Sequence, residues 1–140
     1  MTTTTTTEAV PVVTQGRVRR RHRVLSSDGV PLSVTDWSGP SPTHTAVFLH
    51  GLCLSHTAWN IQLNHVLRRF GPEVRVIAYD HRGHGDSGSA PSHTYRVHQL
   101  AADLDDVLDT LNVTGPIALI GHSMGGMTAM TYLHQGRRAS

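Results

Sequence analysis

The stretch from Ile117 to Gly126 constrains this chain more than any other. An apolar run, Ile117-Ala118-Leu119-Ile120, leads without a spacer into Gly121-His122-Ser123-Met124-Gly125-Gly126, and helix-forming residues continue to His134. Such a run reads as a buried strand, and the abrupt change to a helix leaves room only for a tight turn. The glycines fit that turn. A Cβ at Gly121 or Gly125 would collide across it, and Gly126 is expected to let the helix approach the strand. Ser123 then sits on a strained backbone with its hydroxyl lifted clear of the sheet. A plain strand–turn–helix joint could carry the same glycines. The G-x-S-x-G pattern in this context points instead to an exposed nucleophile.

The rest of the chain alternates strand-like and helix-like segments. Val18 to Leu25 and Pro31 to Trp37 flank Ser27-Asp28-Gly29, where Asp-Gly is a hairpin signal. Thr45 to Leu49 reads as a buried parallel strand ending at His50-Gly51, and Val74 to Tyr79 as another. Thr57 to Phe70 is expected to be helical, with Trp59, Leu63, Val66 and Phe70 on one face and Gly71-Pro72 ending it. Tyr95 to Asn112 is the clearest helix, because Leu100, Leu104, Val107 and Leu111 recur at helical spacing. Its aspartates 103, 105, 106 and 109 are assigned to a solvated face. The alternation predicts an α/β fold: an N-terminal hairpin, then a mostly parallel sheet with helices on both faces. Sites in such sheets gather at the carboxyl ends of the strands. His50-Gly51-Leu52, Asp80 to Gly88 and Gly121 to Gly126 fall at those ends.

Composition bounds the remaining possibilities. A length of 140 residues allows one domain. Residues 1–16, opening with Met1 and six threonines, are expected to be a disordered tail, with 17–140 forming the domain. The formal charge of +2 dictates no partner. Arginines 17, 19, 20, 21 and 23 crowd one strand, without the interleaved aromatics of a nucleic-acid surface; they are read as a solvated, charge-protected edge, and no nucleic-acid partner is expected. No apolar run approaches a membrane span. There is no lysine, which excludes Schiff-base chemistry and a Walker lysine. The single Cys53 cannot form an intrachain disulfide, so the expected setting is the reducing cytoplasm.

The chemistry of acyl transfer explains why the three segments belong together. Attack by a serine oxygen places negative charge on the carbonyl oxygen, and two preset backbone N–H groups can hold it. The N–H of Met124 is one candidate donor and that of Leu52 the other, with His50, Gly51, Gly121, His122, Gly125 and Gly126 shaping loop and turn. Gly83 to Gly88 matches the dinucleotide pattern G-x-G-x-x-G, but Ser89, Ala90 and Pro91 separate it from the next helix. His81, His84 and Asp86 resemble metal ligands, yet no second cluster completes a set, so no metal is expected. Both decoys read better as a loop bracing its neighbours. His122, His134 and Cys53 are read as structural or solvated, and the sequon at Asn112 carries no role.

HGLCLSHTAWN (50–60), YDHRGHGDS (79–87) and GHSMGG (121–126) together closely resemble the α/β-hydrolase superfamily, in its order and at its separations, over residues 17 to 136. The likeness is strongest to its esterase, lipase and cofactor-free haloperoxidase branches. Epoxide hydrolases and haloalkane dehalogenases share the fold but place Asp where this chain has Ser123. The resemblance implies a serine hydrolase of small-molecule esters or related acyl compounds, needing no cofactor. It implies a Ser–His–Asp/Glu triad, with Ser123 as nucleophile and Leu52 and Met124 at the oxyanion positions. The acid and the His lie on later strands in that family, so this chain is expected to be an N-terminal portion, inactive alone. The alternative is a non-catalytic remnant or a binding module on the same scaffold.

Overall fold

The computed structural model describes residues 4–6 and 12–136. Within them the strands β1 (Thr4–Thr6), β2 (Val12–Thr14), β3 (Arg17–Leu25), β4 (Pro31–Ser38), β5 (His44–Leu49), β6 (Val74–Tyr79) and β7 (Ile117–Gly121) form one mixed sheet. Its order is β1-β3-β4-β6-β5-β7, with β2 also on β3. The expected hairpin is present: β3 and β4 run antiparallel around Gly29, whose φ is +87°, with Val18 opposite Ser38 and Leu25 opposite Pro31. β4 meets β6 antiparallel, whereas β6, β5 and β7 are mutually parallel.

Helices cover both faces. The helix α1 (Asn60–Arg69) packs Leu63 and Leu67 against Ala46, Phe48, Val76 and Ala78 on one face. On the other, α2 (Val97–Thr110) and α3 (Met124–Gln135) close a larger core, in which Leu104, Val107, Leu108 and Tyr132 meet Val34, Val47, Leu49 and Ile77. Alternate residues of β5 serve opposite cores, which is why Val47 and Leu49 face α2 while Ala46 and Phe48 face α1. Each strand buried on both faces reads as the continuous apolar run seen in the sequence.

Four expectations need correction. Of the tail expected over 1–16, residues 1–3 and 7–11 lie outside the described residues, but Thr4–Thr6 and Val12–Thr14 are strands paired to β3. Threonine and valine are β-branched, and the outer edge of β3 offers them unpaired main-chain groups. Secondly, Arg17 is not solvated. It is fully buried, and its guanidinium donates to the carbonyls of Leu67, Phe70, Gly71 and Val74 at 2.6–3.0 Å. These are mostly orphan carbonyls at the end of α1, where a cation is favoured. Consequently Phe70 is extended (φ −111°, ψ 149°) and 46% exposed, off the face it was assigned to. Thirdly, Asp103 and Asp105 are buried rather than on a solvated face of α2. Arg82 explains Asp103: the loop after β6 carries its guanidinium inward to meet the carboxylate. Finally, α2 begins at Val97 instead of Tyr95. The Tyr95 hydroxyl accepts from the Ala90 N–H at 2.9 Å, holding that residue in the preceding loop.

Candidate active site

β7 ends and α3 begins within a single turn, and Ser123 occupies it with φ 53° and ψ −113°. That conformation is neither strand nor helix, and for a residue with a Cβ it stores about 1–3 kcal/mol of strain. Neighbouring contacts enforce it. The His122 N–H donates to Leu49 O at 3.0 Å, Gly125 N–H to His122 O at 2.9 Å, and Met127 N–H to Ser123 O at 3.0 Å. A Cβ on Gly125 would run into the Leu49 carbonyl and lie 2.7 Å from His50 O, and one on Gly121 would lie 2.6 Å from the Gly126 Cα. Both glycines are therefore required, as the sequence predicted. Gly126 is different: a Cβ there would come no nearer than 3.7 Å to the strand, so this glycine is not what lets the helix approach. Its backbone is instead the surface against which Gly121 packs.

The His50-Gly51-Leu52 loop touches this turn directly. Gly51 is buried, and a Cβ on it would fall 2.7 Å from the His122 Nδ1. The ring of His122 thus packs on the loop. Among the described residues, neither the Leu52 N–H nor the Met124 N–H carries a hydrogen bond, and Ser123 Oγ, on an exposed residue, has no partner. The loop and the turn that carry these groups touch through Gly51 and His122. Leu52 is 64% exposed, and Cys53 beside it has φ +63°.

Beneath the loop lies a set of buried histidines that spacing alone did not reveal. His50 is fully buried; its Nδ1–H donates to Gly51 O at 2.7 Å, and its Nε2 accepts the His81 N–H at 3.0 Å. The His81 Nε2–H returns a bond to His50 O at 3.0 Å. His50 must be neutral to do this, since one ring nitrogen donates and the other accepts, and burial disfavours the charged form of both rings, lowering His50 and pushing His81 down to about 3. Asp80, fully buried at the end of β6, accepts from the His56 N–H and His56 Nδ1 on one oxygen and from the Asp86 N–H on the other, at 2.7–2.9 Å. Burial alone would raise the Asp80 pKa, but these bonds and the His56 charge hold it below the usual carboxylate range. The same bond raises His56. Asp80 thereby fixes the start of the segment that follows the 50–52 loop.

The loop after β6 is braced rather than open to a nucleotide. Gly83 N–H bonds Gly88 O at 2.8 Å, and the chain then passes through a short turn at Ser92–Thr94 before α2 starts. A Cβ on Gly83, where φ is +71°, would strike the Tyr95 ring at 2.6 Å. Arg82 is buried and grips Asp103 with two bonds of 2.7 Å and Asp28 with two of 2.8–2.9 Å. This holds Asp28 down at about 2 and keeps Arg82 charged far above neutrality. His50, His81 and His84 stack within 6.3 Å, yet among the described residues no group of three possible ligands converges on a metal-sized site.

A serine with positive φ on the tight turn between a parallel strand and a helix, at the sheet's carboxyl end, is the backbone geometry of an elbow on an α/β sheet. The comparisons place the chain more closely. Residues 47–138 match the family model described as alpha/beta hydrolase fold, and this chain belongs to that family. It is 40% identical over 101 residues to the sn-1-specific diacylglycerol lipase ABHD11 of Mus musculus, covering 72% of this chain and 31% of that protein. It is 37% identical over 110 residues to a non-heme chloroperoxidase of Streptomyces lividans, covering 79% and 38% respectively. Among solved structures, an esterase from Exiguobacterium antarcticum superposes with a TM-score of 0.70 at 29% identity, covering 84% of this chain and 41% of that one. Esterases, lipases, haloperoxidases and epoxide hydrolases all occur among the matches. The chain spans roughly a third of the length of these two curated relatives (31% and 38%). Among the described residues, no helix is long and apolar enough to cross a membrane.

Proposed function

We propose that this chain carries the nucleophile half of a serine hydrolase acting on carboxylic esters or related acyl compounds. The observation that supports it best is Ser123 itself, held at φ 53° with an unpartnered hydroxyl. In this reading Ser123 Oγ attacks the acyl carbonyl and loses its proton to a histidine. The N–H groups of Leu52 and Met124 hold the developing oxyanion, the alcohol leaves, and water releases the acid from the acyl-enzyme. None of the described histidines reaches Ser123 Oγ by a hydrogen bond, so the 140-residue chain alone turns over slowly.

A second reading, a binding scaffold without turnover, draws on that same missing base. Hydrolysis of p-nitrophenyl acetate and butyrate by the 140-residue chain and by Ser123→Ala, each with and without added imidazole, distinguishes the two. The hydrolase reading expects an imidazole-stimulated rate that Ser123→Ala abolishes. Equal rates for both proteins would favour the scaffold.

A further inference from the structure

Arg19, Arg21 and Arg23 alternate along β3 and therefore share one face of the sheet. Opposite them on β4 stand Trp37, Thr35 and Ser33, none of which is acidic. The strand's other face is balanced differently: Arg20 lies opposite Asp36, whose carboxylate also meets His22 and Arg75. Like charges in a row on one face destabilise a sheet unless something neutralises them. Among the described residues, little does so at Arg21 and Arg23. Arg21 meets Asp86 at 3.4 Å, with both side chains largely in solvent, and among the described residues Arg23 makes no ion pair.

These two arginines wall a cleft of about 520 Å³, within the size range of small-molecule sites. Pro31 adds an apolar wall, and the far rim is the loop at Asp86 and Gly88. The cleft is rigidly built. Gly88 N–H donates to Pro31 O at 2.7 Å, Ser33 N–H to Ser87 Oγ at 2.9 Å, and a Cβ on Gly88 would fall 2.6 Å from the Pro31 ring. A guanidinium offers a planar fork matched to carboxylate and phosphate oxygens, and two forks two residues apart can grip one such head.

We propose that this cleft is a binding site, separate from Ser123, for a small organic anion: a carboxylate or phosphate head carried on a compact apolar body. The arginine forks hold the head, and Pro31 covers the body. Asp86 is displaced from Arg21 or pairs more weakly when the site fills.

The test titrates the 140-residue chain with phenyl phosphate and with benzoate at low ionic strength by calorimetry, with benzylamine as the cationic control. Saturable binding of one or both anions is expected, with none of benzylamine, and at least a tenfold loss in Arg21→Gln/Arg23→Gln. Arg20→Gln, on the opposite face, should bind as the parent does. Equal weakening by Arg20→Gln, or undiminished binding by the double variant, would overturn the proposal. Phenylglyoxal footprinting of the unmutated chain tests it independently of how the variants fold. Phenyl phosphate should protect Arg21 and Arg23 while Arg20 and Arg68 keep reacting, and uniform protection or none would also overturn it.

Discussion

Replacing Arg82 by Met removes the cation that ties the loop after β6 to both α2 and the hairpin turn. Arg82 is fully buried and its partner Asp103 is almost so, whereas Asp28 is 36% exposed. The cost therefore falls on Asp103, left as an uncompensated buried carboxylate, and losses of about 3–5 kcal/mol are usual for breaking such a pair. Asp28 returns to solvent and adds little. Against a domain stability of about 5–15 kcal/mol, this is a large fraction. Burial already pushes Asp103 up with Arg82 present, and without it the shift grows. A group whose folded-state pKa is raised costs less as it gains its proton, so the deficit of Arg82→Met should shrink as pH falls from 7 towards 4. The double variant Arg82→Met/Asp103→Leu, which removes both charges, should recover all but about 1 kcal/mol. Urea unfolding followed by circular dichroism reads each value from the midpoint and slope. A loss below 1 kcal/mol in the single variant, or no recovery in the double, would show that the pair does not hold this loop.

Three further outcomes follow from the same geometry. Gly125→Ala should destabilise by about 1–3 kcal/mol because its Cβ meets the Leu49 and His50 carbonyls, while Gly126→Ala, whose Cβ would make only ordinary contact at 3.7 Å with Gly121 O, should be neutral or gain up to about 1 kcal/mol of helix propensity; matched thermal melts compare them. His81 is buried neutral with its pKa down at about 3, so its contribution is present above the unfolded value of 6.5 and is lost on acidification; stability should fall by roughly 3 kcal/mol from pH 7 to pH 4, and His81→Gln should flatten that slope. Among the described residues β7 pairs with β5 alone, and Met127, Met130 and Leu133 of α3 are 46–68% exposed, so the chain should self-associate with rising concentration; sedimentation velocity should show Met130→Lys/Leu133→Glu shifted towards monomer.

The features legible in the sequence share a cause. The elbow was readable because three glycines and a serine have one compact solution between strand and helix, and two of those glycines are required by contact with backbone. The parallel strands were readable from their apolar runs. Long side chains escaped the reading. Arg17 and Arg82 look like surface residues by type, and only the fold shows that orphan carbonyls and a buried carboxylate await them. Asp103 looked solvated for the same reason, since its partner lies 21 residues away. The threonines of β1 carry no amphipathic pattern, and pairing through main-chain groups leaves no trace in side-chain periodicity. Within the site, the His50–His81 exchange joins residues 31 apart, although two histidines at adjoining strand ends were a signal that could have raised it.

The central claim, that the fold sets Ser123 up as a nucleophile beside two free amides, is tested most directly by its covalent chemistry. The 140-residue chain is incubated with p-nitrophenyl acetate and imidazole, and acetyl groups are mapped by peptide mass spectrometry. Acetylation concentrated on Ser123, and slower by an order of magnitude or more at exposed serines such as Ser89 and Ser92, is the predicted result. Acetylation of Ser123 no faster than of those serines would contradict it.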